Sequence, residues 1–279
     1  MSKPLVSVII RTCQRPAVLK QALDSIRKQT YKNIQVIVVE DGKNVSERLL
    51  VRKYSDLNYV FRATDRKVGR SAAGNLALEL AEGEYINFLD DDDILFPDHI
   101  CKLVDALEKG KNRAAYSNAI EIQINVLSYN PYKYNIKRKV NRYHQPFNRL
   151  LLYTFNYIPI QSIMFERKLY EELGGFDINL DALEDWDIWA RYSTKTDFTY
   201  IDENTSCYFT PYNRKRKKKR AMELDKYNEI LYTKFLNYLL HISVFELHQD
   251  MKYVMDEYKE KAYMRYLKIL FRRIFWGER

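Results

Sequence analysis

Four short apolar runs, each closed by polar or charged residues, constrain this 279-residue chain more than any other feature. They are residues 5–10 (LVSVII), 34–39 (IQVIVV), 58–62 (NYVFR) and 84–89 (EYINFL). The first, second and fourth read as buried strands, and the third as a strand beside them. Between them lie segments with helical spacing. Residues 18–29 place Leu19, Ala22, Leu23 and Ile26 on one face, residues 49–54 form a shorter helix, and residues 71–81 another, with Gly83 expected as its C-cap. Strand–helix alternation predicts an α/β fold, a Rossmann-like, mostly parallel sheet with helices on both faces. Ligands of such sheets bind outside the carboxyl ends of the strands. Residues 11–15, 40–42 and 90–93 fall at those ends.

Beyond Lys102 the pattern changes. Residues 114–125, 161–166 and 198–201 read as strands, and residues 168–173 and 183–192 as helices, the first stopped by Gly174 and Gly175. Residues 125–157 read as irregular, polar and rich in Tyr. A break is expected at residues 214–220 (RKRKKKR). After it Leu224, Tyr227, Leu231, Phe235, Tyr238, Ile242 and Phe245 recur at helical spacing, and a second helix is expected over residues 255–275.

Two clusters carry chemistry. Asp90, Asp91, Asp92 and Asp93 follow a buried strand directly. Four adjacent carboxylates repel one another unless a cation neutralises them, and hard oxygen ligands suit Mg²⁺ or Mn²⁺ shared with substrate phosphates. The plainer reading is an acidic loop capping the helix that starts near Pro97. The second cluster is Glu184, Asp185, Trp186 and Asp187, behind the turn at Gly174 to Asp177. A carboxylate beside Trp can have the raised pKa that a general base needs. An acidic first turn favoured by the helix dipole explains it equally well. Asp41, at the end of the second strand, can accept hydrogen bonds from a base or ribose, although Asp-Gly is a common turn.

Taken in order, VSVIIRTCQRP, VVEDG, GRSAAGNLAL, GEYINFLDDDD, LGGFD and LEDWDIWAR resemble the family 2 inverting glycosyltransferases with the GT-A fold, over roughly residues 5–212. The resemblance implies a catalytic domain over residues 1–213, with a nucleotide-sugar half (1–100) and an acceptor half (101–213), followed by an extension over 214–279. It implies that Thr12, Arg15 and Asp41 hold the donor nucleoside, with Arg70 and Asn75 also in the donor site. Asp90 and Asp92 match the DxD motif: Asp90 faces ribose and sugar, Asp92 binds Mn²⁺ or Mg²⁺ on the diphosphate, and Asp91 and Asp93 assist. Asp185 is the base that deprotonates the acceptor hydroxyl, supported by Glu184, with Asp187 next in line. Many members carry Arg where this chain has Gly74, and many carry a His near the diphosphate. The stretch 209–220 has none, and Arg214 and Lys215 are the substitutes to consider. A UDP-sugar is the expected donor, and a glycan or lipid-linked saccharide the expected acceptor, as in cell-surface polysaccharide synthesis.

The net charge of +9 sits in the tail: residues 214–279 hold 17 Lys and Arg against 9 Asp and Glu. Lys261, Arg265, Lys268 and Arg272 form a basic stripe there, beside an apolar one ending in Phe275 and Trp276. That pattern suits an anionic membrane surface, or packing on the catalytic domain or a second subunit. Cys13, Cys101 and Cys207 have no metal-like spacing and fit a reducing compartment. No signal peptide and no spanning segment are read, so the expected place is cytoplasmic, peripheral on the inner face of the membrane. Two rival readings are weaker. A nucleotidyltransferase would show a Gly-rich basic loop after strand one. A nucleic-acid-binding protein would leave four phosphate-repelling aspartates unexplained, so no nucleic-acid partner is expected.

Overall fold

The computed structural model describes residues 3–240 and 242–257. Its first half contains β1 (Val6–Thr12), α1 (Pro16–Arg27), β2 (Ile34–Glu40), α2 (Glu47–Lys53), β3 (Tyr59–Ala63), α3 (Arg70–Glu79) and β4 (Tyr85–Asp90). Every residue of β1 is buried, which is why that run is apolar without alternation. Its side chains feed two cores. Ile9 belongs to one core with Ala73, Phe88 and Trp189, while Val8 and Ile10 belong to the other with Leu19, Leu23 and Ile100.

β1 pairs in parallel with β2 and with β4, and β2 in parallel with β3. The chain runs outward from β1 to β3 and then returns to β4 on the far side of β1. The order therefore reverses between β1 and β4, and their carboxyl ends open onto a crevice. Arg11 and Asp90 lie in register across that point.

The second half adds β5 (Ile94–Leu95), α4 (His99–Lys109), β6 (Ala114–Tyr129), β7 (Tyr132–Asn141), α5 (Arg149–Leu152), β8 (Ile163–Glu166), α6 (Arg167–Leu173), α7 (Glu184–Tyr192) and β9 (Phe198–Pro211). β8 is antiparallel to β4, so one sheet crosses the expected boundary at residue 100. The order is β3-β2-β1-β4-β8-β6-β9-β5, with β7 beside β6.

Several expectations need correction. The stretch 125–157 is not irregular throughout, because residues 125–141 lie in a long β6–β7 hairpin. Much of β7 is solvent-facing and its register shifts twice, so its Lys, Asn and Tyr residues disguise the period of two. β9 continues to Pro211 rather than ending at 201. Gly83 does not cap α3, which ends at Glu79 with Leu80 as cap. A Cβ on Gly83 would lie 2.5 Å from the Ser7 backbone nitrogen, so glycine is needed there for close approach of two chain segments.

The basic run 214–220 is not a linker but the opening of α8 (Arg214–Phe235), and α9 (Val244–Glu257) follows. The apolar stripe through Phe245 is thus split between two helices. The stripe of α8 packs on the α/β body of the molecule: Leu231 is fully buried, and Phe235 meets the Trp186 ring at 5.3 Å. Lys234 fastens the contact with ion pairs of 2.8 Å to both Asp177 and Asp187. Of the helix expected over 255–275, α9 covers only the beginning, and residues 258–279, which hold the basic stripe, lie outside the described residues. Truncating Leu231 to Ala removes a fully buried side chain from this seam. The expected cost is about 2–5 kcal/mol of unfolding free energy, read by urea denaturation. A loss under about 0.5 kcal/mol, the level of ordinary surface substitutions, would show that α8 is not docked in solution.

Candidate functional site

The four aspartates divide alternately, Asp90 closing β4 and the other three forming the turn that follows it. The side chains of Asp90 and Asp92 are 31% and 32% exposed, whereas that of Asp91 is fully buried. Asp93 is buried as well and accepts a hydrogen bond from the Phe209 amide at 3.1 Å. Asp90 and Asp92 are thus the pair offered to a ligand. Asp91 is turned inward, with its carboxylate already held within the chain. The Thr12 hydroxyl donates to its Oδ2 at 2.6 Å, and Arg15 Nε donates to the same atom at 3.0 Å. Burial pushes Asp91 up to about 7, against the pull of Arg15. Burial also raises Asp93, with Asp92 and Asp90 adding to it. Asp90 goes the other way: burial opposes its charge, but Arg11 and Arg70 outweigh it and hold the pKa below the usual range. The Asp92 pKa is raised by burial, with Asp90 adding to it and Arg15 opposing.

Arg11 joins this cluster to α7. Its guanidinium donates to Asp90 at 3.0 Å and to Glu184 at 2.9 Å, and it lies 5.0 Å from the centroid of the Phe176 ring. Burial works against the charge of Arg11, yet Asp90 and Glu184 raise its pKa. Glu184 also faces Arg70, at 3.6 Å. Glu184, next to Asp185, therefore anchors Arg11 and Arg70.

Asp185 is half-buried on the first turn of α7. Asn156 donates to its Oδ2 at 3.0 Å and the Trp186 amide to its Oδ1 at 2.9 Å. Burial, with the negative charge of Glu184 added, pushes its pKa to about 7. Leu183 enters the helix with φ of +60°, a conformation rare for a branched residue and costly to hold. It aims the first turn of α7 into the crevice. Asp187, expected as the alternative base, points elsewhere: it is fully buried and held by Arg191, Lys234 and Tyr238.

The remaining expected donor residues separate. Asp41 lines the cleft, and its carboxylate already accepts from the amides of Val68 (2.6 Å) and Gly69 (3.1 Å), which fixes the approach to α3. A carboxylate has further lone pairs for a ligand. Thr12, Arg15 and Arg70 line the cleft too. Asn75 does not. Its side chain donates to the Phe176 carbonyl at 2.9 Å and accepts from the Phe176 amide at 2.7 Å, pinning the loop before α7. The absence of a side chain at Gly74 has a packing reason: a Cβ there would lie 2.5 Å from the buried Phe176 ring and 3.4 Å from Arg11 Cδ. The Phe176 ring takes the room that any side chain at 74 would need.

The cleft measures about 1320 Å³ and joins the β1 and β4 ends, α7, and the loop carrying Asn156 and Gln161. α8 closes it with Lys219, Arg220, Leu224, Asn228 and Tyr232. Arg220 is near enough to Asp92 to favour its charged form. Of the two substitutes considered for the missing His, Lys215 is exposed outside the cleft, and the side chain of Arg214 lies outside those described. Sequence reasoning placed α8 in a separate extension because its contacts come from residues far away in the chain. Arg11 was more legible: a charged residue closing a fully buried strand needs buried partners. Among the described residues no group of three or more His, Cys, Asp or Glu is placed to hold a metal by itself, and no helix is long and apolar enough to cross a membrane.

Comparison with known proteins agrees with this geometry. An uncharacterized glycosyltransferase of Methanocaldococcus jannaschii is 29% identical over 197 residues, 68% of this chain and 65% of that protein. A putative colanic acid biosynthesis glycosyl transferase of Escherichia coli is 30% identical over 193 residues, 68% of this chain and 66% of that protein. The chain thus spans just under two thirds of the length of the first of these relatives. Among solved structures, S. aureus TarS 1-349 in complex with UDP-GlcNAc superposes with a TM-score of 0.63 at 17% identity, over 84% of this chain and 72% of that one. A mannosyltransferase from Pyrobaculum calidifontis in complex with GDP-Man and Mn²⁺ superposes with a TM-score of 0.60 at 16% identity, over 100% of this chain and 89% of that one. At such identities the likeness shows the fold, which is GT-A. The profile of glycosyl transferase family 2 matches residues 7–174, more than half of the chain. This chain belongs to glycosyl transferase family 2.

Proposed function

We propose that this chain transfers a sugar from a nucleotide-diphosphate donor, in the first instance a UDP-sugar, to a hydroxyl of a glycan or lipid-linked acceptor, with inversion. The observation that carries the reading is a single cleft holding Asp90 and Asp92 at the β4 end and Asp185 at the start of α7. Two half-exposed carboxylates from one strand end are the hard-oxygen donor set that suits Mg²⁺ or Mn²⁺ when substrate phosphates complete the shell. A divalent cation on Asp90 and Asp92 would offset the charge of the departing diphosphate.

The chain's own residues do the rest. Asp41 and the Thr12 to Arg15 turn bind the nucleoside. Arg70, Lys219 and Arg220 bring positive charge to the cleft that receives the diphosphate. Asp185, with a pKa near neutral, takes the proton of the incoming hydroxyl, and Asn156 orients it. The transition state at the anomeric carbon is oxocarbenium-like by analogy with glycoside hydrolysis. A single displacement inverts that carbon, and no covalent intermediate is needed. Residues 1–213 form the catalytic domain on this reading, and α8 belongs functionally with it. The placement is peripheral, at the cytoplasmic face of a membrane.

The test is a thermal-shift screen of UDP, GDP, CDP and ADP with and without Mn²⁺. A ligand at 100 times its Kd adds about 2.7 kcal/mol to the folded state, enough to raise the melting temperature by several degrees. One nucleotide diphosphate should do so only with the metal. If none shifts the midpoint under either condition, the donor assignment fails.

A further inference from the structure

We propose that the β6–β7 hairpin is a docking surface for an anionic lipid bilayer, and that it brings the mouth of the cleft to that surface. The sequence from 122 to 165 contains no Asp or Glu. Within it Lys133, Lys137, Arg138 and Lys139 are all exposed on one strand, and Leu127 and Tyr129 at the tip are 64% and 58% exposed. Lysines on an edge strand are a general protection against edge-to-edge pairing. That need is met equally well by mixed charges, and ordinary surfaces intersperse both signs. It accounts neither for a long stretch free of acids nor for an apolar tip left in water. An aliphatic and an aromatic side chain flanked by cations is the combination that enters an anionic interface: the apolar groups insert and the cations meet the headgroups.

The hairpin is also tied to the site. Tyr129 and Tyr132 stack across the turn at 6.2 Å, Tyr132 meets Tyr134 at 5.2 Å, and Tyr134 meets Phe209, which lines the cleft, at 5.3 Å. The Tyr134 hydroxyl donates to Gln21 at 3.1 Å, and Gln21 donates to the Asp92 carbonyl at 2.8 Å. Tip and aspartates are therefore joined through one packed aromatic row.

The experiment uses the full chain and sedimentation with phosphatidylcholine vesicles, with or without phosphatidylserine, at low and high ionic strength. The parent should bind the phosphatidylserine vesicles and release them as salt rises. A Lys133→Glu, Lys137→Glu, Lys139→Glu variant should lose affinity by on the order of a hundredfold or more, since each lost cation is worth about a factor of five. Leu127→Ser with Tyr129→Ser should lose about tenfold. All these side chains are exposed, and an unchanged melting temperature would confirm the fold of each variant. The proposal is overturned if the parent shows no preference for phosphatidylserine. It is equally overturned if the lysine variant binds as the parent does, which would move any attachment to another part of the chain. Binding of soluble polyphosphate without binding of vesicles would assign the surface to an anionic polymer and reject the lipid.

Discussion

Replacing Asp185 by asparagine is expected to lower turnover by about 10²–10⁴-fold, the usual contribution of a positioned base, while leaving donor affinity near the parental value. Asparagine keeps the shape and can keep the contact with Asn156, but it cannot accept a proton. The pH dependence supplies an independent check. Burial and Glu184 raise the Asp185 pKa to about 7, so the fraction of competent carboxylate, and with it kcat, should climb through that pH in the parent. The stability consequence has the opposite sign. A carboxyl whose folded pKa lies above its unfolded value near 3.9 favours the fold below that value, and the advantage disappears as pH rises to about 7. Above pH 7 the parent holds a poorly solvated charge that Asp185→Asn lacks, so the variant should melt at a higher temperature at pH 8. Near-parental turnover in Asp185→Asn would place the base elsewhere. Asp187 would not be the replacement, because it lies buried in its contacts with Arg191 and Lys234.

Asp92→Ala should remove metal-dependent nucleotide binding to below detection by calorimetry with UDP and Mn²⁺. Asp92 is one of only two aspartates of its run that present half-exposed carboxylates to the cleft, and a metal with so few protein ligands loses much of its site when one is removed. The fold should survive. The Asp92 carboxylate lies 3.7 Å from Arg15, whose guanidinium remains held by Asp91, and the Asp92 carbonyl contact with Gln21 is a backbone contact that alanine preserves. Asp91→Ala should behave differently: it leaves Thr12 and Arg15 without their buried partner and should act on stability before binding. Parental calorimetry in Asp92→Ala would reject the metal assignment.

The first half of the molecule was legible because its signals are local. Residues 5–10, 34–39 and 84–89 are mostly apolar because parallel strands are covered on both faces, and a motif at the end of such a strand lies where the sheet opens. The β6–β7 hairpin escaped for the converse reason. Half in solvent, with register shifts, it has no clean alternation.

Sequence alone determined the strand–helix order, the placement of Asp90 to Asp93 at a strand's carboxyl end, and the acidic start of α7, because propensity and periodicity act over a few residues. The tertiary structure decided which carboxylates face the cleft. It turned Asp91 and Asp93 inward, gave Glu184 to Arg11 and Arg70, took Asn75 to the Phe176 loop and enlisted Asp187 as an anchor for α8. It also made α8 a wall of the site. Each of these outcomes depends on partners far apart in the chain, from Asp187 with Lys234 to the separation of 173 between Arg11 and Glu184. A buried charge takes whichever partner the packed chain brings within reach, and nothing in its local sequence specifies that partner.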